Sequence, residues 1–212
     1  MFNKFIQNTR KPEGVLGRFM LKGMNSGHAK MAEWGFSHLI LPSNSHILDV
    51  GCGGGANIAK MLLEAKGSVV DGLDYSQESV AFSKKKNAAN VGKRCTIRQG
   101  TVTELPYEDN ELDLVTAFET IYFWPDLDEA FKEIQRTVKD EGTFFICCES
   151  DDAKDTTWTS RIEGMKVYSG DDLKSRLINA GFKSVEVHRN EKGWTCINAA
   201  KQKEISGDAE SV

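Results

Sequence analysis

The chain has 212 residues, 40% of them apolar and 27% charged, with a formal net charge of −4. That is more than one average domain and less than two, apolar enough for a sizeable core and unlike a disordered chain. The mild acidity offers no overall attraction for nucleic acid or an anionic bilayer. The longest uninterrupted apolar run, Phe144–Cys148, is far short of a membrane span, and the N-terminus lacks the apolar stretch of a secretory signal.

In chain order, Pro12–Met24 and Gly27–Trp34 read as two short helices, with Gly35 a stop and Asn25 or Ser26 an N-cap for the second. Residues 1–44 are expected to form a helical lid. Its first 30 residues carry six Lys and Arg against Glu13 alone, an excess that can steer an acidic substrate or simply coat solvated helix faces. Ser45–Val50 reads as a buried strand running into the cluster Gly51-Cys52-Gly53-Gly54-Gly55. Ile58, Met61, Leu62 and Ala65 then recur at helical spacing. Ser68–Tyr75 is a second strand, Gln77–Asn90 a polar helix, Thr96–Gly100 a third strand and Leu112–Phe118 a fourth. Leu127, Ala130, Phe131, Ile134 and Val138 mark another helix, and Gly142–Glu149 a fifth strand.

After an irregular stretch from Ser150 to Gly170, holding Trp158, Arg161, Met165 and Tyr168, Ser169-Gly-Asp-Asp172 forms a capping box with Asp in place of Glu. The helix it opens stops at Gly181. Lys183–Arg189 and Trp194–Ala200 leave no room for a helix between them, so they form an antiparallel hairpin. Strands alternating with helices give an α/β, doubly wound, mostly parallel sheet covered on both faces, Rossmann-like. The main domain is expected over 45–201 and a polar tail over 202–212. The five cysteines are odd in number and form no C-x-x-C pair, so reduced buried thiols are expected, with neither disulfide nor metal site.

The glycine cluster carries the strongest chemical signal. Glycines between a strand and a helix let a ligand approach the main chain beside a helix N-terminus. Read as Gly51-x-Gly53-x-x-Ala56, the cluster matches the dinucleotide fingerprint of nicotinamide enzymes. Read as Asp49-x-Gly51-x-Gly53-x-Gly55, it resembles motif I of class I S-adenosylmethionine-dependent methyltransferases. Asp74, ending the second strand about 20 residues on, suits the ribose hydroxyls of either cofactor.

Residues 100–149 separate the two. Gln99–Pro106, Asp109–Phe118, Tyr122-Phe-Trp124-Pro-Asp126 and Val138–Gly142 resemble successive segments of the small-molecule methyltransferase family, and the reversed last strand is also a feature of that family. The resemblance covers roughly residues 40–200. It implies seven strands in the order 3-2-1-4-5-7-6 with the last antiparallel, and S-adenosylmethionine as cofactor with S-adenosylhomocysteine as product. It assigns cofactor contacts to Asp49, Gly51, Cys52, Gly53, Asp74, Tyr75, Thr101, Val102, Phe118 and Glu119. Thr101 stands where the family often has an acid for the adenine amine, so a hydroxyl and the backbone near Val102 must serve instead.

The implied activity is methyl transfer to a small-molecule acceptor by a cytoplasmic monomer or homodimer, with neither nucleic acid nor membrane as partner. The alternatives are a nicotinamide-dependent oxidoreductase and a non-catalytic S-adenosylmethionine-binding protein. Because a sulfonium already carries a good leaving group, the protein needs mainly to hold and desolvate the nucleophile. Candidate catalytic residues are Glu119, Tyr122 and His28. Glu119 follows the fourth strand beside the crevice, where it can orient substrate, take a proton, meet the cofactor's amino end, or serve as a structural acid held by backbone N–H groups. Tyr122 is expected to face the site and Trp124 to pack in the core. His28 can act as a base or bind a carboxylate, against the ordinary reading of a surface histidine. The Ser150–Gly170 stretch is expected to wall the pocket.

Overall fold

Residues 28–152, 154, 156, 157 and 159–202 are described by the computed structural model. The first expected N-terminal helix, Trp158 and nearly all of the tail lie outside them. Seven strands form one sheet: β1 (His46–Val50), β2 (Val69–Asp74), β3 (Ile97–Gln99), β4 (Leu112–Phe118), β5 (Val138–Cys148), β6 (Ser184–Arg189) and β7 (Thr195–Ala200). Their order is β3-β2-β1-β4-β5-β7-β6. All pairings are parallel except those of β7, which runs antiparallel to β5 and β6. Among the described residues, five α-helices cover the faces: α1 (Ala29–Phe36), α2 (Ala56–Glu64), α3 (Gln77–Lys86), α4 (Leu127–Thr137) and α5 (Gly170–Asn179).

The period-2 pleat divides the core into two layers. Along β5, Phe144, Ile146 and Cys148 enter one layer with Trp124, Phe131, Leu177 and Phe182. Phe145 and Cys147 enter the other, with Met31, Phe36, Ile58 and Met61. Phe131, Phe144, Phe145 and Phe182 are fully buried, each contributing about 1.5–3 kcal/mol relative to exposure. The helical stripes read from sequence are the buried stripes: Ile58, Met61 and Leu62 in α2, and Leu127, Ala130, Phe131 and Ile134 in α4. α4 starts where the Asp126 side chain accepts the N–H groups of Asp128 and Glu129, and α5 where Ser169 accepts that of Asp172.

Four boundaries differ from expectation. α3 ends at Lys86, where the Asn87 amide turns back to donate to the carbonyls of Ser83 and Gly55. β3 is trimmed to three residues. β5 begins at Val138, which the sequence placed on the preceding helix, and takes in residues 139–141 through a register shift, with Leu112 opposite Val138 but Leu114 opposite Thr143. Gly35 lies inside α1 as a packing glycine, since a Cβ there would stand 2.6 Å from Cys147 Sγ. That close approach lays α1 on β5, where the Cys147 thiol donates to Met31 Sδ at 3.0 Å.

Near the start of β1, Asp71 accepts from His46 Nε2 at 2.9 Å, the Tyr107 hydroxyl at 3.0 Å and the Thr96 N–H at 2.8 Å. These partners hold its carboxyl below the usual range despite burial, and the Asp71 bond raises the pKa of His46. All five cysteines are free and buried. Among the described residues no helix is long and apolar enough to cross a membrane.

Candidate active site

A cleft of about 590 Å³ opens along the carboxyl ends of the central strands, where ligands bind in open parallel sheets. Its floor is the turn from β1 into α2. Gly51, Gly53 and Gly55 take φ of 70°, 49° and 71°, a region closed to most side chains. A Cβ on Gly51 would also fall 1.9 Å from Thr120 Oγ1. At Gly53 the space above the backbone is open, with only the Gly51 carbonyl at 4.0 Å, so the missing side chain leaves room for a ligand.

The amides of this turn are mostly spent within the protein. Gly51 and Cys52 donate to the Leu73 carbonyl at 2.7 and 3.1 Å, Gly53 to Asp74 Oδ2 at 2.8 Å, and Gly55 to the Cys52 carbonyl at 2.9 Å. The turn is therefore a shaped floor more than a row of donors. A dinucleotide pyrophosphate needs such donors; a cofactor without phosphate does not.

Of the residues the sequence nominated, Gly51, Cys52, Gly53, Asp74, Tyr75, Thr101, Val102, Phe118, Glu119 and His28 line the cleft. Asp74 ends β2 with Oδ2 on Gly53 N–H and Oδ1 on Ser76 N–H, 2.8 Å each. The Ser79 side chain also donates to this carboxyl group. Burial raises its pKa against those bonds. The Thr101 hydroxyl lies 3.1 Å from that of Thr103.

Asp49 does not line the cleft. It is 2% exposed beneath the glycine turn and accepts the Thr116 hydroxyl at 2.7 Å. Burial lifts its pKa to about 7. Tyr122 also stays out of the cleft: 3% exposed, it sits behind Glu119 and donates to Glu119 Oε1 at 3.1 Å. Trp124 does both jobs, lining the cleft while its ring stacks on Phe144 at 6.4 Å. The described part of the Ser150–Gly170 stretch contributes nothing to the cleft wall. Met165 and Tyr168 pack on the core instead, and Arg189 fastens the two ends through Asp151 and Asp171.

The acidic end of the site lies at β4 and β5. Glu119 leaves β4 with φ 56°, which turns its side chain into the cleft mouth, 11% exposed. Oε1 accepts the Glu149 N–H and the Tyr122 hydroxyl. Burial, aided by the Glu149 charge, still pushes its pKa to about 8. His28 Nε2 stands 3.9 Å from Glu119 Oε2 and 3.8 Å from Glu149 Oε2, and burial lowers its pKa. The donor atoms of these three side chains all lie within 4.8 Å of one another. Glu149 was missed by sequence reasoning, although an acid directly after a buried strand, at the carboxyl edge of such a sheet, is a usable signal. Met31, Leu73 and Phe123 also line the cleft unannounced.

Fold and site together define a doubly wound domain with a cleft across its strand ends, of the kind that takes an adenosine-type cofactor. A family model described as a methyltransferase domain matches residues 48–146. The chain is 31% identical over 197 residues to a ubiquinone/menaquinone biosynthesis C-methyltransferase of Rickettsia felis, covering 78% of this chain and 79% of that one. It is 37% identical over 114 residues to a demethylmenaquinone methyltransferase of Lactiplantibacillus plantarum, covering 52% of this chain and 47% of that relative. Several other curated relatives are likewise matched over less than half their length. A solved S-adenosylmethionine-dependent methyltransferase from Aquifex aeolicus superposes with a TM-score of 0.72 at 19% identity, over 85% of this chain and 96% of that one. The chain belongs to the class I S-adenosylmethionine-dependent methyltransferase family, whose cofactor is S-adenosylmethionine.

Proposed function

We propose that the chain transfers the methyl group of S-adenosylmethionine to a small-molecule acceptor held at the β4–β5 end of the cleft. The observation that carries this is the continuity of one cleft from Asp74, past the glycine floor, to Glu119. The cofactor, when bound, supplies a methyl group on a sulfonium, so the residues need only hold, align and desolvate the acceptor. Asp74 receives the ribose hydroxyls, and Thr101 and Val102 flank the adenine. Gly51, Cys52 and Gly53 let the ligand lie against the backbone, and Tyr75 and Phe118 close its edges. Asp49 acts from below, fixing the turn through Thr116.

Glu119 is the group that takes a proton from the acceptor at Oε2, while Tyr122 and the Glu149 N–H hold Oε1. A pKa of about 8 suits a base working near neutral pH. The spent loop amides disfavour the nicotinamide alternative. Five unpaired, buried cysteines support a cytoplasmic setting.

Calorimetric titration with S-adenosylhomocysteine and with NADH tests the reading: the first binds and the second does not. Asp74→Ala is expected to weaken S-adenosylhomocysteine about tenfold or more, from the lost charge-assisted hydrogen bonds. Unchanged affinity would remove Asp74 from the cofactor site.

A further inference from the structure

We propose that the acceptor is a small organic molecule carrying a cationic amine, recognised jointly by Glu119 and Glu149; this rests on the methyltransferase reading above. Two carboxylates from the ends of adjacent strands converge on one imidazole, at 3.9 and 3.8 Å from His28 Nε2. Both separations exceed hydrogen-bond length, so the three groups border a shared space without closing it. Glu119 Oε1 is already engaged by the Tyr122 hydroxyl and the Glu149 N–H, which leaves Oε2 directed towards that space.

Among the described residues, His28 is the only basic side chain within 4 Å of either carboxylate, and burial favours its neutral form. Lys60, which also lines the cleft, is drawn away to Glu64 at 2.6 Å and the Phe36 ring at 5.1 Å. Among the described residues, the acceptor end thus sets two carboxyl groups side by side with no Lys or Arg within 4 Å, and an arriving cation favours the ionised form of Glu119. Phe118, Phe123 and Trp124 line the same cleft, offering apolar area for an organic body and ring faces that attract a cation. An ammonium meets all of these features, since its N–H groups donate to Glu119 Oε2 and Glu149 Oε2. A carboxylate or phosphate is repelled, and a neutral phenol or quinol leaves one carboxylate without a partner.

The chemistry balances. The ammonium gives one proton to Glu119 Oε2, and the freed nitrogen lone pair becomes the new bond to the methyl carbon. The electron pair of the breaking carbon–sulfur bond stays on sulfur. The products are an N-methylated ammonium and the neutral thioether.

The test uses the full chain. S-adenosylhomocysteine is titrated first, and failure to bind overturns the methyltransferase reading itself. With it bound, three probes of similar shape follow: benzylamine, benzyl alcohol and benzoate. Benzylamine is expected to bind about tenfold more tightly than benzyl alcohol, the value of one charge-assisted hydrogen bond, with benzoate the weakest. Glu149→Gln is expected to remove that preference while S-adenosylhomocysteine affinity and thermal unfolding stay as they were. Equal binding of the three, no binding, or preference for the alcohol overturns the amine assignment and leaves the methyltransferase reading standing. So does loss of S-adenosylhomocysteine affinity in Glu149→Gln, which would make the carboxylates a seat for the cofactor's own amino group. Tight binding of Zn²⁺ alone, abolished by Glu149→Gln, would give the cluster to a metal ion and equally overturn the proposal.

Discussion

Replacing Glu119 by Gln is expected to make the protein more stable at alkaline pH while lowering methyl transfer. The carboxyl is 11% exposed and its pKa climbs from 4.5 to about 8, chiefly through burial. A folded pKa above the unfolded one means that the folded state holds the extra proton. Stability is then full below about pH 4.5 and is lost as pH rises through about 8. At 1.36 kcal/mol per pH unit, the full loss above pH 8 is on the order of 5 kcal/mol.

Gln keeps an oxygen to accept from Tyr122 and the Glu149 N–H but carries no charge to desolvate. Asp49 and Asp74 also titrate with raised pKa values, but they are common to both proteins and cancel in the difference. Thermal unfolding at pH 5 and pH 9 measures the effect. The variant should match the parent at pH 5 and exceed it at pH 9 by on the order of 10 °C, given roughly 2–4 °C per kcal/mol for a chain of this size. A difference in Tm that is the same at both pH values, or smaller at pH 9, would refute burial as the cause.

Two further outcomes follow from the geometry. Gly51→Ala places a Cβ 1.9 Å from Thr120 Oγ1 at a φ of 70°, so the turn must shift, and S-adenosylhomocysteine binding should fall at least about tenfold in calorimetry. Asp71→Asn should cost about 2–3 kcal/mol in urea unfolding near pH 6, because a buried charged acceptor of three donors is lost. The gap should narrow on acidification, as pH falls through the depressed Asp71 pKa. It should narrow again as pH rises through the raised His46 pKa.

The parts of the fold that were legible are those where one residue type meets one physical demand. The stripe Ile58, Met61, Leu62 announces a helix with one buried face, and Ser169 with Asp172 announces the start of α5. Gly35 was misread because glycine both stops helices and permits close packing; only its position over Cys147 separates the two. The start of β5 was hidden because Lys139-Asp-Glu-Gly142 carries turn residues that a register shift accommodates within a strand. In the site, the glycine turn, Asp74 and Glu119 were legible as residue types at strand ends. That the turn's amides are consumed internally was not, since Leu73 and Asp74 accept them only once β2 lies beside β1. Tyr122 was expected to face the cleft, and it faces the carboxylate that does. Glu149 becomes visible as a partner only when β5 is set next to β4.

The five buried thiols have a practical consequence. Burial raises the pKa of every one, to about 11 at Cys95 and about 12 at Cys196, and well above the usual thiol value at Cys52 and Cys148. The folded chain therefore offers alkylating reagents almost no thiolate, and each cysteine becomes a clock for the opening of its own neighbourhood. Cys52 times the excursions of the glycine turn, and should slow when a ligand settles on it. Cys147 and Cys196, facing each other across β5 and β7, time the separation of the sheet itself. Label uptake followed residue by residue thus reports ligand occupancy and global unfolding in a single experiment on the unaltered protein.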